Sequence, residues 1–291
     1  MRKIFYFAMV AVTAIFAGCA NDEDALLPND SLKDTPINVD VLVSGINTRA
    51  GYDNTSQPTM FYLSIDQKDT KYDYTNVVMK YDGSKWGAYE SANENAAKKQ
   101  LLWEGSKGNV TVKAATFSLS DASTTLSVQT DQSTAEGIKA SDHLCYYSNT
   151  VTPSTGGISL ELNHIMSKIT VKLTLGTEYE ASETNPITSV TAFGASTGAT
   201  YSPGTETPWS AESNVSKISL YPSVEYNTVN RTATYEAILV PQTIAANTFG
   251  IEIRIGEKTY EWTSAEAFTL KGGTNHTLEM TVGNASSTNI N

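Results

Sequence analysis

The chain is 291 residues long and carries 31 acidic against 20 basic side chains, a formal net charge of −11. That length holds one large or two ordinary domains, each with its own core. The acid excess argues against nucleic-acid binding, which needs a basic face. Thr, Ser, Val, Tyr and Gly are plentiful and helix-forming runs are few, so all-β is the expected class.

The first residues, MRKIFYFAMVAVTAIFAGC, place Arg2 and Lys3 before an apolar run from Ile4 to Phe16. The run is too short to cross a bilayer and stay, so it reads as a secretory signal over residues 1–18. Its ending, Ile15-Phe16-Ala17-Gly18-Cys19, resembles a bacterial lipobox, with Phe16 where Leu is usual. The resemblance implies that Cys19 becomes the lipidated, palmitate-bearing first residue of a protein anchored to the outer membrane. Cys145 is then the one cysteine left, which excludes a disulfide framework and a cysteine-based metal site. Asn21-Asp22-Glu23-Asp24 resembles acidic surface-export tags and equally fits a solvated linker. Residues 19–36, acidic and with two prolines, read as a tether.

In INVDVLVSGINTRA, Ile37 to Ala50, the residues Ile37, Val39, Val41 and Val43 alternate with Asn38, Asp40, Leu42 and Ser44. Period-2 alternation of β-branched residues predicts a strand with one buried face. Gly45 and Asn47 break it, and Thr48-Arg49-Ala50-Gly51 follows as a polar, turn-prone and exposed segment. A single cut after Arg49 would separate the anchor and this first strand from the rest of the protein.

Further strands are expected at Met60–Ile65, Val77–Tyr81, Leu101–Trp103, Val110–Phe117 and Leu126–Val128. Asp82-Gly83 is a turn leading to Lys85-Trp86, which suggests a hairpin. Residues 91–100 are rich in Ala and charge and suit a short helical turn, Ile138 to Tyr147 holds an apolar cluster, and residues 148–157 read as a loop. From Ile158 to Leu175 the alternation changes register at His164-Ile165-Met166-Ser167, which predicts two strands or one long bent strand. Candidates after it are Ser189–Ala195, Lys217–Tyr221, Ala233–Val240, Phe249–Ile255, Lys258–Trp262 and Leu278–Val282, with a tight turn at Gly256-Glu257 and a stop at Pro241. Short strands at this spacing indicate two consecutive β-sandwich domains, over residues 37–160 and 161–283, with a polar tail at 284–291.

Catalytic and metal-binding patterns are missing from the sequence, so no enzyme and no cofactor is expected. Asp142 and His143 are adjacent, which on a strand sends their side chains to opposite faces and makes a poor dyad. His164 sits in apolar context as a structural histidine, and His276 beside Gly272-Gly273 reads as a turn residue. Gly272-Gly273 lacks the strand-to-helix context of a phosphate loop. Cys145, between Leu144 and Tyr146, reads as a small buried apolar residue. Most of the fifteen tyrosines and four tryptophans are expected to fill two cores, and their number is also ample for a carbohydrate-binding face. Trp209, in a loop after Pro208, is the residue best placed for that second use.

The order of these features resembles the fimbrillin family, lipoprotein pilus subunits of Gram-negative anaerobes. The matching pieces are Val39 to Ala50, Trp86 after a turn, Leu101 to Trp103, Lys113 to Phe117, Asp142-His143-Leu144, Leu160 to Leu173, Ile238 to Ile244 and Phe268 to Val282. The resemblance implies two transthyretin-like β-sandwiches and an Arg-specific cleavage between Arg49 and Ala50 after export. It also implies that loss of the strand carrying Ile37, Val39, Val41 and Val43 opens a groove. A strand from another pilus subunit then fills that groove by β-strand addition. The last strand is followed only by a short polar tail without alternation, which cannot supply a donor face. That points to a tip or accessory subunit mediating adhesion, through a host or bacterial surface ligand, on fimbriae at the outer membrane. Two alternatives stand beside it: Leu278–Val282 itself acts as the donor, or the protein is a surface glycan-binding lipoprotein that does not polymerise.

Overall fold

The structure is a computed structural model and describes residues 31–44, 51–67, 69–119, 123–179, 184–203 and 208–283. The first half contributes β1 (Val39–Ser44), β2 (Met60–Asp66), β3 (Tyr74–Tyr81), β4 (Trp86–Tyr89), β5 (Lys98–Lys99) and β6 (Val110–Ala115). They are followed by β7 (Thr124–Ser127), the helix α1 (Ala135–Ser141), β8 (Leu144–Val151) and β9 (Ile158–His164). An eight-stranded sheet runs in the order β1-β9-β8-β6-β2-β3-β4-β5. It closes round one core that includes Phe61, Leu63, Trp103, Val112 and Leu160 together with the apolar face of β1. The two ends of the sheet approach each other, so that Ile37 and Val39 line a small gap with Trp86, Ala88 and Leu101.

The second half begins with β10 (Ser167–Leu175), β11 (Ile187–Phe193), β12 (Gly198–Tyr201), β13 (Trp209–Ala211), β14 (Ile218–Ser219) and β15 (Tyr221–Asn227). It continues with β16 (Thr232–Leu239), β17 (Gln242–Ile244), β18 (Gly250–Ile255), β19 (Lys258–Thr263), β20 (Phe268–Leu270) and β21 (Asn275–Val282). Two four-stranded sheets, β15-β16-β10-β21 and β14-β11-β18-β19, face each other. Between them lies a core that includes Ile169, Val171, Val190, Tyr235, Ile251, Ile253 and Leu278. The all-β sandwich architecture expected from the strand spacing is thus present in both halves.

The halves are tied together by more than the β9–β10 turn. Strand β7 pairs with β12 through Gly198↔Ser127 and its neighbours, and Ile138 of α1 is fully buried in the second core. A small third cluster of Ala115, Leu119, Leu126, Cys145 and Tyr201 bridges the two.

Local differences from the expectations have physical causes. Residues 91–100 contain no helix; they form turns and then β5, which pairs with β4. Alanine propensity alone is a weak prior there, since the segment offers no apolar stripe to bury. The helix lies instead at Ala135–Ser141, where Thr134 caps it by accepting a hydrogen bond from Gly137 N at 3.2 Å. Leu101–Trp103 is an isolated bridge to Pro36 rather than a strand within the sheet. Residues 148–151, read as loop, complete β8, whose outer half is exposed and so lacks an apolar signature. At the tether's end, Leu32 is buried in the first core, and backbone bonds link residues 34–37 to 101–103.

Candidate functional site

Strand β1 forms where the alternation predicts it: Ile37, Val39, Val41 and Val43 are buried, while Leu42 points outward at 55 % exposure. It lies at one end of the eight-stranded sheet and pairs, in parallel, with β9 alone, from Val39↔Ile158 to Ser44↔Asn163. Among the described residues no strand pairs with its outer edge, where Ile37 N, just before β1, donates to Leu101 O at 2.9 Å. At its start, Ile158 N donates to Asn38 O at 2.8 Å. Gly157 makes that approach feasible: its φ is +82°, and a Cβ placed there would collide with the Asn38 carbonyl.

The connection from β1 to β2 is pinned on both sides of residues 45–50. Before it, Val43 N donates to Asn54 Oδ1 at 3.0 Å. After it, Tyr52 N donates to Asp142 Oδ2 at 2.9 Å, and Gly51 is buried. Arg49 and Ala50 lie outside the described residues, as does Cys19. The chain on the far side of a cut at Arg49 would still be held to the body through Tyr52.

Asp142 does not act with its neighbour His143. Its other oxygen lies 2.7 Å from Nδ1 of His164, and the two side chains are 2 % and 6 % exposed as residues. The pair fastens α1 to the kink between β9 and β10. Asp142 and His164 are 22 residues apart, so no local pattern in the sequence joins them, whereas His143 is adjacent. His143 instead sets Nε2 3.1 Å from Ser127 O and its ring edge-on to Phe117. Burial lowers its pKa, partly opposed by the Ser127 carbonyl. Among the described residues no three His, Cys, Asp or Glu side chains come together to hold a metal ion.

His164 also lines a cleft of about 680 Å³ where the two halves meet. The β9–β10 turn forms one wall with His164 and Ile165; β12 and β13 form another with Tyr201 and Trp209; β17 and β20 close it with Thr243 and Thr269. The rings of Tyr201 and Trp209 are 4.7 Å apart and tilted by 42°. Trp209, expected in a loop, opens β13 and is half-buried. Gly272 forms part of the wall, where any Cβ would press on the Ile165 carbonyl and approach Trp209 Nε1 at 3.2 Å. Behind Tyr201, burial pushes the Cys145 thiol up to about 11, with the tyrosine hydroxyl partly opposing it.

Comparison with known proteins follows the same lines. The profile of a fimbrillin-like family matches residues 38–291. A candidate cell adhesion protein from Bacteroides ovatus superposes with a TM-score of 0.64 at 14 % identity, over 89 % of this chain and 95 % of that one. A second, from Bacteroides uniformis, gives 0.55 at 12 % identity, over 88 % and 97 %. At these identities the two structures speak for a shared fold. No curated protein matches the chain.

Proposed function

Since this chain belongs to the fimbrillin-like family, and so is a fimbrial subunit of the cell surface that associates with other subunits, we propose that it is a tip or accessory subunit. In this reading it is lipid-anchored through Cys19 and assembled by strand exchange after cleavage between Arg49 and Ala50. Its role is adhesive and structural rather than enzymatic. The observation that carries the proposal is the placement of β1: terminal in its sheet, paired with β9 alone, and joined to the body through the segment that contains Arg49.

The energetics favour exchange over permanent loss. Ile37, Val39, Val41 and Val43 each contribute about 1.5–3 kcal/mol by burial, so their departure leaves an apolar groove and the unpaired backbone edge of β9. Such an edge accepts another strand. Before cleavage β1 is attached to the body at a high effective concentration; afterwards it must compete as a separate molecule. An incoming strand with apolar residues at alternate positions would restore both the ladder and the core.

The test is digestion of the folded protein with an Arg-specific protease. A compact body beginning at Ala50 that binds a peptide with the alternation of residues 37–44 is the expected result. Resistance at Arg49, or collapse of the body on cutting, would overturn the proposal. The carboxy-terminal alternative, in which Leu278–Val282 is the donor, predicts that β21 rather than β1 becomes protease-sensitive on assembly.

A further inference from the structure

We infer that the cleft between the two halves is a binding site for a sugar ring bearing a carboxylate. This rests on the adhesive role proposed above and gives it a location and a ligand class. Four features of the lining lead there. Trp209 and Tyr201 offer a tilted aromatic wall, a surface on which the C–H face of a pyranose packs. Opposite them, Thr243 Oγ1 and Thr269 Oγ1 stand 3.2 Å apart and exposed, a hydroxyl pair able both to donate to and to accept from sugar hydroxyls. His164 has its Nδ1 engaged by Asp142, which fixes this nearly buried ring as a rigid part of the wall.

The fourth feature is charge. In a chain of net charge −11, the described residues lining this cleft include no Asp or Glu, and Lys271 stands exposed at its mouth. Lys271 makes no salt bridge among the described residues; its backbone N donates to His276 Nε2 at 3.1 Å, which holds the turn in place. A cation at the rim of a cleft whose described lining is aromatic and hydroxyl-bearing, without a carboxylate, complements an anionic sugar better than a neutral one. The volume, about 680 Å³, suits a mono- or disaccharide unit with water.

The experiment is calorimetric titration of the full chain with N-acetylneuraminic acid, glucuronic acid, glucose and acetate at matched ionic strength. The acidic sugars should bind about tenfold more tightly than glucose, as expected for one charge-assisted contact, and acetate should not bind. Trp209→Ala should abolish binding, and Lys271→Gln should reduce the acidic sugars to the level of glucose. Thr243→Trp, which fills the cleft without removing its aromatic wall, should also abolish binding and guards against misfolding of the first variant. Equal binding of glucose, binding unaffected by these changes, or no binding of either acidic sugar would each overturn the inference. Strand-peptide uptake after Arg-specific cleavage is measured on the same variants. Uptake without sugar binding refutes the cleft alone, whereas sugar binding without uptake refutes the assembly reading alone.

Discussion

Strands β1 and β21 are near-mirror solutions to one packing problem. Each sits at the end of a sheet, and each runs parallel to one of two consecutive strands, β1 along β9 and β21 along β10. Each buries alternate apolar side chains: Ile37, Val39, Val41 and Val43 in one, Leu278, Met280 and Val282 in the other. They differ in how the chain holds them. β21 follows a short turn at Gly272-Gly273 that remains part of the body, and its outer face is linked to β10 by Lys172 and Glu279 at 3.1 Å. β1 continues into the body through residues 45–50, the segment that contains Arg49, and its outer face shows Leu42. Equal burial would then not mean equal permanence: under the proposed cleavage, one peptide bond would separate a structural strand from a removable one.

The sharpest way to break the comparison is to weaken each strand before and after cutting at Arg49. Met280→Ala should cost about 2–5 kcal/mol in both forms, because it leaves a cavity in a core that cleavage does not touch. Val41→Ala should cost about 1.5–3 kcal/mol in the intact chain and nothing in the cleaved body. Denaturant midpoints of the four species decide this. A Val41→Ala penalty that persists after cleavage would show that β1 does not leave.

Removing the Asp142 carboxylate comes next in size. Asp142→Ala strands both His164 Nδ1 and the Tyr52 amide in a buried setting, at about 1–3 kcal/mol for each unpaired group. Its additional signature should be faster hydrogen exchange at Tyr52, the first pinned residue beyond the cut. Gly157→Ala should act on β1 alone. The left-handed backbone and the collision with Asn38 together cost about 1–2 kcal/mol or more, and they should speed cleavage at Arg49 while leaving the stability of the cleaved body nearly unchanged.

The smallest effect concerns acid. Burial holds the pKa of His143 below its ordinary 6.5, so the unfolded chain binds this proton more readily than the folded one. Stability is then full above pH 6.5 and declines as the pH falls below it toward the folded value. His143→Gln should flatten that part of a stability–pH curve. Cys145, with its thiol raised to about 11, should resist maleimide at neutral pH until denaturant opens the bridging cluster.

Much of this protein is legible in its residues taken in order. Alternation at Ile37–Ser44 and again at Ile158–His164 specifies strands and their buried faces, because a strand's side chains must point alternately whatever the strand packs against. The register break at His164–Ser167 is visible for the same reason, and it divides β9 from β10. Where burial is two-sided or slight, the signal fades: the exposed end of β8 and the short β5, β17 and β20 carry no period to read. α1 is a capped helix of seven residues, about two turns, too brief for helical periodicity to emerge.

Partnership is another matter. Nothing in the order of residues says that β1 should lie parallel to β9, more than a hundred positions away, or that Asp142 should choose His164 over the adjacent His143. Nor does it say that Trp209 should meet Tyr201 and Lys271 across a cleft built from both halves. Local sequence determines which face of a strand is apolar, since that depends only on the geometry of the backbone. Which edge stays open, and which side chains meet, follows from the closure of sheets over shared cores, a global competition for burial that no local window contains.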